Sequence, residues 1–70
     1  MNKIPDIDLK ALRKKLGLTQ KEFAETYMIP YETLKNWEQG EYLNKTTSRL
    51  LLYIINELPN EIEKILKNIR

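Results

Sequence analysis

The stretch with the most varied side-chain chemistry is YETLKNWEQG, residues 31–40. It contains a phenol, an indole, two carboxamides and three charged side chains. Such residues either pack a helix onto a core or present hydrogen-bonding groups to another molecule. The functional question is therefore whether this segment is a core helix that contains Trp37 or a helix whose outer side contacts a partner.

Catalytic and metal chemistry have little support in this chain. It contains no cysteine and no histidine, so the commonest metal ligands and the usual general base are missing. Helix capping or pairing on helix surfaces explains the acidic side chains, and there is no glycine-rich phosphate loop. We therefore predict a protein that is not an enzyme and requires no cofactor and no metal.

Length and hydropathy predict one small intracellular domain. Seventy residues suit a single unit, residues 1–70. The first ten residues have no long apolar run and do not resemble a signal peptide. The longest apolar run, LLLYII, is too short to cross a bilayer. Together with the absence of cysteine, these features lead us to expect a cytoplasmic protein.

Charge is distributed unevenly along the chain. Residues 1–21 carry six basic and two acidic side chains, a net charge of +4, whereas residues 22–41 have a net charge of −4. Residues 42–70 have a net charge of +2. If the chain binds a polyanion, the positive potential must come from residues 1–21 and 42–70, on either side of the acidic segment. The alternative interpretation is that these charges only form an ordinary solvated surface of mixed sign.

Hydrophobic spacing predicts an all-α chain of five short helices. In the first helix, apolar residues recur three and four positions apart: Leu9, Leu12 and Leu16. Asp8 can cap this helix, and Gly17 suits its end, where a positive φ is cheap only without a Cβ. The sequence TQKE, residues 19–22, is a capping box that begins a second helix running to about Tyr27.

The remaining helices follow from proline positions and apolar spacing. Pro30 begins a third helix that ends near Gln39, before Gly40. Its inner side holds Leu34 and Trp37. The loop EYLNKTT, residues 41–47, leads to a fourth helix capped by Thr46 or Thr47, and a fifth begins near Pro59. Apolar residues dominate both: Leu50, Leu51, Ile54, Ile55, Leu58, Ile62, Ile65, Leu66 and Ile69.

The second and third helices form a predicted helix-turn-helix, residues 19–40. About three residues join them, and the small side chain of Ala24 allows the two helices to cross closely. Such a unit places its second helix in the DNA major groove and the start of its first helix at the DNA backbone.

The segments LRKKLGLTQKEFA (12–24) and MIPYETLKNWEQG (28–40) resemble the Xre/Cro-type helix-turn-helix family, especially its small antitoxin-like members. The resemblance covers roughly residues 9–58. It implies a compact five-helix bundle of the lambda-repressor-like type that binds double-stranded DNA and regulates transcription, as a repressor or an antitoxin-type autoregulator. Met28 departs from the glycine that the family often has, and a methionine at positive φ is unfavourable.

The resemblance implies six DNA-contacting residues: Gln20, Tyr31, Glu32, Thr33, Asn36 and Gln39. Two lysines, Lys35 and Lys45, are further candidates for DNA contact, although the loop EYLNKTT departs from the family's pattern. Gln20 matches a glutamine that binds a phosphate and braces the third helix. Base edges face three of the positions: Tyr31, Glu32 and Asn36. Phosphates face two others, Thr33 and Gln39, and Lys45 is the best candidate for a downstream phosphate contact. The resemblance also implies a structural ion pair between Arg13 and Glu38.

Each proposed contact has a plainer alternative. Asn36 could pair with an adenine edge or simply face solvent. Glu32 could accept from a cytosine amino group, although a carboxylate also repels phosphate. Tyr31 could contact a thymine methyl or a sugar, and Lys35 suits a phosphate or a steering role better than base reading. Gln20 could be an ordinary helix-surface residue, whereas Trp37 belongs to the core.

Apolar residues of the last two helices exceed what a chain this small needs for its own core. We expect five of them to form a dimer interface, on helices 47–69: Leu51, Ile55, Ile62, Ile65 and Ile69. A homodimer would read a palindromic DNA site. The alternative function is a protein-binding module, for example an antitoxin that acts mainly by binding its toxin.

Overall fold

The computed structural model describes residues 3–41 and 45–70. Within these residues the chain forms helices and no strand, which confirms the predicted all-α fold. In chain order the helices are α1 (Leu9–Leu16), α2 (Gln20–Thr26), α3 (Tyr31–Glu38), α4 (Thr46–Glu57) and α5 (Pro59–Lys67). Residues 42–44 of the predicted loop lie outside the described residues.

Local hydrogen bonds set the ends of α1 and the start of α2, as the sequence predicts. The Asp8 carboxylate accepts from the Ala11 amide at 3.1 Å, and Gly17 ends α1 with a φ of 72°. At the start of α2 the Thr19 hydroxyl accepts from the Glu22 amide at 3.1 Å. The Glu22 carboxylate in turn accepts from the Thr19 amide at 2.9 Å. The predicted capping box is therefore confirmed.

The core is built from α1 to α4 and the turn after α2. Its buried apolar residues are Leu9, Leu12, Phe23, Ala24, Tyr27, Ile29, Leu34, Leu52 and Ile55. In α5 no residue is fully buried, but Ile62 and Leu66 pack against the core from outside, as does Leu51 of α4. Ile55 has no exposed surface, so we correct its assignment to a dimer interface: it points into the chain's own core.

The start of α4 differs from the prediction. Lys45 occupies the N-cap position without a side-chain cap, and Thr46 is the first helical residue. The predicted hydroxyl cap at Thr46 or Thr47 is therefore wrong, because a capping residue must lie just outside the helix with an extended backbone. The fifth helix does begin at Pro59, where the missing N–H has no consequence.

Three hydrogen bonds fasten the start of α5 and Arg70, which follows α5, to the end of α2. The Tyr27 hydroxyl donates to the Pro59 carbonyl at 3.2 Å. The Arg70 guanidinium donates through Nη2 to the Glu25 and Thr26 carbonyls, both at 2.7 Å. These carbonyls belong to the last turn of α2, where backbone acceptors lack helical partners and a cation is favourable. The C-terminal segment thus supports the helix that precedes the turn.

None of the helices in the described parts of the chain is long and apolar enough to cross a membrane.

Candidate nucleic-acid interface

The turn between α2 and α3 fixes the position of the third helix. The Ile29 amide donates to the Ala24 carbonyl at 2.9 Å, and both side chains are buried. Met28 adopts a φ of 55°, the left-handed conformation in which a side chain is unfavourable. Its side chain is about half exposed, so the strain arises from the backbone rather than from crowding. The chain therefore adopts at Met28 a turn conformation that a glycine would adopt without strain.

A bidentate ion pair holds α3 against α1. The Arg13 guanidinium donates through Nε and Nη2 to the two carboxylate oxygens of Glu38, at 2.6 and 3.1 Å. A third donor, Nη1, bonds the Leu18 carbonyl at 3.2 Å. The Glu38 side chain is only 3% exposed, so its charge depends on this partner. The ion pair that the resemblance implied is present.

One side of α3 carries nearly all of its proposed contact residues. At about 100° per residue, five of them fall within an arc of about 140°: Tyr31, Glu32, Lys35, Asn36 and Gln39. The Glu32 side chain is 80% exposed, and the Asn36 and Gln39 side chains also face solvent. The opposite side holds Leu34, which has no exposed surface. Thr33 lies about 60° outside the arc and is half-buried.

Tyr31 is the centre of a set of polar contacts between α2 and α3. Its hydroxyl donates to the Gln20 side-chain oxygen at 3.4 Å. The Lys35 ammonium lies 4.9 Å from the centre of its ring and the Lys21 ammonium 6.0 Å, both within cation–π range. Lys35 also pairs with Glu32 at 3.0 Å, and this hydrogen bond raises the pKa of Lys35 above its ordinary value. The start of α2 is thus linked to the outer side of α3.

Sequence reasoning missed Lys21 as a site residue. It lines an open depression of about 430 Å³ together with Arg13, Thr19, Gln20 and Tyr31. Glu38 already neutralises Arg13. Of the cations that line this depression, Lys21 is therefore the one that can bind an anion. No local spacing could have revealed this position, since Lys21 and Tyr31 come from different helices and meet only through the turn.

The other predicted residues stand apart from the Tyr31 contacts. Among the described residues, no side-chain hydrogen bond, ion pair or ring contact joins Asn36, Gln39 or Lys45 to that group. Lys45 is exposed at the N-cap of α4. The arrangement leaves the Asn36 and Gln39 carboxamides with donors and acceptors directed to the outside.

Trp37 faces away from the outer arc. It packs against the core and is partly exposed, so it is less buried than the sequence prediction implied. Its exposed part lines an open cavity of about 500 Å³ between the end of α3 and the segment that precedes α1. Trp37 therefore supports the helix from its inner side, as expected.

The described residues contain no group of three acidic, histidine or cysteine side chains that could hold a metal ion. Exposed cations flank the helix-turn-helix on both sides in sequence: Lys10, Lys14 and Lys15 on α1, and Lys45 at the N-cap of α4. The surface at the helix-turn-helix thus offers hydrogen bonds, aromatic surface and ammonium groups, and these are the groups that contact nucleic acids.

A family model described as helix-turn-helix matches residues 9–54, from the start of α1 into α4. The chain belongs to the Xre-type, lambda-repressor-like helix-turn-helix family. No curated protein and no solved structure matched significantly.

Membership of the Xre-type family makes the chain a DNA-binding helix-turn-helix regulator and confirms the expected fold. The family is regulatory, which agrees with the prediction that the chain is not an enzyme. The matched residues include both members of the Arg13–Glu38 pair and every contact made by Tyr31. All of α5 lies beyond the match, and so do the Pro59 carbonyl that accepts from Tyr27 and the Arg70 guanidinium that donates to the end of α2.

Proposed function

We propose that this Xre-type chain is a sequence-specific transcriptional regulator that inserts α3 into the major groove of double-stranded DNA. One observation carries this proposal: α3 has a polar outer arc of five side chains and a fully buried apolar side at Leu34. The major groove is about 12 Å wide and a helix with its side chains about 10–12 Å across, so the outer arc would reach base edges.

Within this arrangement each outer residue has a chemical role. Asn36 would pair bidentately with an adenine, and Glu32 would accept from a base amino group. Tyr31 would pack against a thymine methyl or a sugar. Phosphate contacts would come from residues on either side of the groove: Gln20, Thr33, Lys35, Gln39 and Lys45. Lys21 joins this group because its ammonium lies beside Tyr31 and Gln20.

We also propose that the regulator works as a homodimer on a palindromic site, since one unit of this size reads only a few base pairs. The exposed apolar residues at the C-terminal end suggest the interface: Leu58, Ile65 and Ile69, which are 49%, 58% and 67% exposed. Ile65 lies on α5, whereas Leu58 is its N-cap and Ile69 follows its end. Their spacing of seven and four residues is helical, so the three line up in one stripe on one side of this segment. The partly buried Leu51 and Ile62 would border this stripe, and Ile55 is excluded.

Regulation by such a dimer would take the form of repression or antitoxin-type autoregulation, in the cytoplasm. The alternative proposal is a module that mainly binds a protein, such as a toxin. The net charge of −4 over residues 22–41 favours it, because an acidic recognition helix loses electrostatic attraction to DNA.

Selection of bound sequences from random duplex DNA, followed by titration of the selected duplex at several salt concentrations, tests the proposed function. DNA regulation predicts an enriched palindrome and an affinity that falls steeply with salt, by about 0.9 in log–log slope for each neutralised phosphate. Failure to enrich or shift any duplex, including the promoter of the chain's own gene, would favour the protein-binding alternative.

Light scattering tests the dimer. We expect a dimer at micromolar concentration that Ile65→Asp dissociates. The matched control is Asn60→Asp, which places the same charge on another side of α5. Equal behaviour of the two variants, or a monomeric wild type at high concentration, would exclude the Ile65 stripe as the interface.

A further inference from the structure

Glu32 and Lys35 form a closed ion pair on the part of α3 proposed to enter the groove. The Lys35 ammonium lies 3.0 Å from a Glu32 carboxylate oxygen, while its other side faces the Tyr31 ring at 4.9 Å. Both groups remain in contact with water, with side chains 38% and 80% exposed for Lys35 and Glu32. The lysine that would bind a phosphate is therefore already neutralised in the free protein.

Such an exposed pair is easily opened. Exposed ion pairs one helical turn apart change equilibria by roughly fivefold at most, because water screens them and two flexible side chains must be ordered. An exposed ammonium–phosphate contact is itself such a pair, so the cost of separating Lys35 from Glu32 is comparable with the gain from one phosphate contact. A base hydrogen bond to Glu32 then decides whether the pair opens.

DNA presents the two partners with opposite environments. A phosphate attracts the Lys35 ammonium and repels the Glu32 carboxylate. In the major groove the only hydrogen-bond donors on base edges are the amino groups of cytosine and adenine. A site with such an amino group opposite Glu32 satisfies the carboxylate and releases Lys35 to a phosphate. At any other site Glu32 either keeps Lys35 or remains unpaired beside the DNA.

From this geometry we propose that Glu32 and Lys35 are a charge-exchange pair that determines specificity: Glu32 suppresses binding to DNA that offers it no base amino group, by withholding Lys35 from the backbone. This inference rests on the proposed function and deepens it. Glu32 then contributes to discrimination chiefly by weakening the wrong complexes rather than by strengthening the right one.

The test compares three variants of the full chain on two duplexes, the sequence selected by the wild type and a scrambled sequence of equal composition. Glu32→Ala removes the carboxylate, and Glu32→Ala with Lys35→Gln also removes the ammonium. Glu61→Ala is the matched control, since it removes one exposed negative charge from the first turn of α5. Melting curves show that each variant is folded.

We expect Glu32→Ala to bind the scrambled duplex about three- to tenfold more tightly, with a log–log salt slope steeper by about 0.9, because Lys35 now neutralises a phosphate. Base preference at one position should relax at least fivefold. The double variant should lose the added slope, and Glu61→Ala should show neither effect.

Two results would overturn the charge-exchange pair while leaving DNA binding intact. One is a Glu32→Ala variant that behaves like Glu61→Ala on both duplexes. Any change in DNA affinity would then come from net charge and not from the release of Lys35. The other is a double variant that retains the steeper slope, which would show that Lys35 is not the released cation. A wild-type chain that binds no duplex would instead refute the proposed function itself.

Discussion

Replacing Arg13 with alanine should destabilise the domain more than any exposed substitution. Arg13 supplies three hydrogen bonds, two to the Glu38 carboxylate at 2.6 and 3.1 Å and one to the Leu18 carbonyl at 3.2 Å. The Glu38 side chain is 3% exposed and that of Arg13 18%, so truncation leaves a carboxylate almost without water and without a cation. Removal of one partner from a buried pair costs about 3–5 kcal/mol.

That cost is large for a chain of this length. At about 0.05–0.15 kcal/mol per residue, the whole domain is stable by roughly 4–10 kcal/mol, so Arg13→Ala would remove a third or more of it. With about 4–8 °C for each kcal/mol in small domains, the melting temperature should fall by roughly 12–40 °C.

Urea unfolding followed by circular dichroism measures the change. Glu38→Gln keeps the shape of the side chain but leaves the charge of Arg13 unpaired. Because Arg13 reaches water more easily than Glu38 does, Glu38→Gln should cost less than Arg13→Ala, about 1–3 kcal/mol. Lys35→Ala is the control, because its pair with Glu32 is exposed to water and contributes little to stability. If Arg13→Ala costs no more than Lys35→Ala, the ion pair does not hold α1 to α3.

Three further variants test separate parts of the structure. Met28→Gly should raise the unfolding free energy by about 1 kcal/mol, since φ of 55° is strained with a Cβ, and an unchanged or lower melting temperature would contradict this. Trp37→Ala should cost about 2–4 kcal/mol in urea unfolding, because the indole packs on the core while partly exposed; melting like the wild type would show that it supports nothing. Burial, and secondarily Glu63, raises the pKa of Tyr27 above 10.0, so folding favours the protonated phenol and its contribution is lost as pH rises through the folded pKa. Tyr27→Phe should therefore lose less stability above pH 10 than the wild type, and parallel pH profiles would contradict that assignment.

Local signals in the sequence were sufficient to predict where the helices at the candidate interface begin and end. Asp8, Gly17 and the Thr19–Glu22 capping box act within one helical turn, so their roles follow from residue type and spacing alone. The positive φ at Met28 was also foreseeable, because it follows from the turn that the resemblance implies. The same kind of signal failed at Thr46, which has the right residue type for a cap but lies one position inside the helix.

Tertiary placement limited the rest of the prediction. Ile55 and Ile65 are both isoleucines on helical stripes, yet one is fully buried and the other 58% exposed. The reason is that α5 covers α4, whereas nothing in the described parts of the chain covers the outer side of α5. Lys21 likewise became a site residue only when the turn brought it beside Tyr31. Hydrophobic spacing identifies the apolar side of a helix but not which part of it the fold covers.

The most direct test of the account is the binding free energy of Asn36→Ala on the selected duplex and on a scrambled one, measured beside Gln20→Ala. If the outer arc of α3 reads base edges, Asn36→Ala should lose about 1–3 kcal/mol of discrimination at one base position and leave binding to the scrambled duplex nearly unchanged. Gln20→Ala should weaken binding to both duplexes about equally, because a phosphate contact carries no sequence information. An Asn36→Ala variant that loses the same affinity for every duplex would contradict the placement of this side of α3 in the groove.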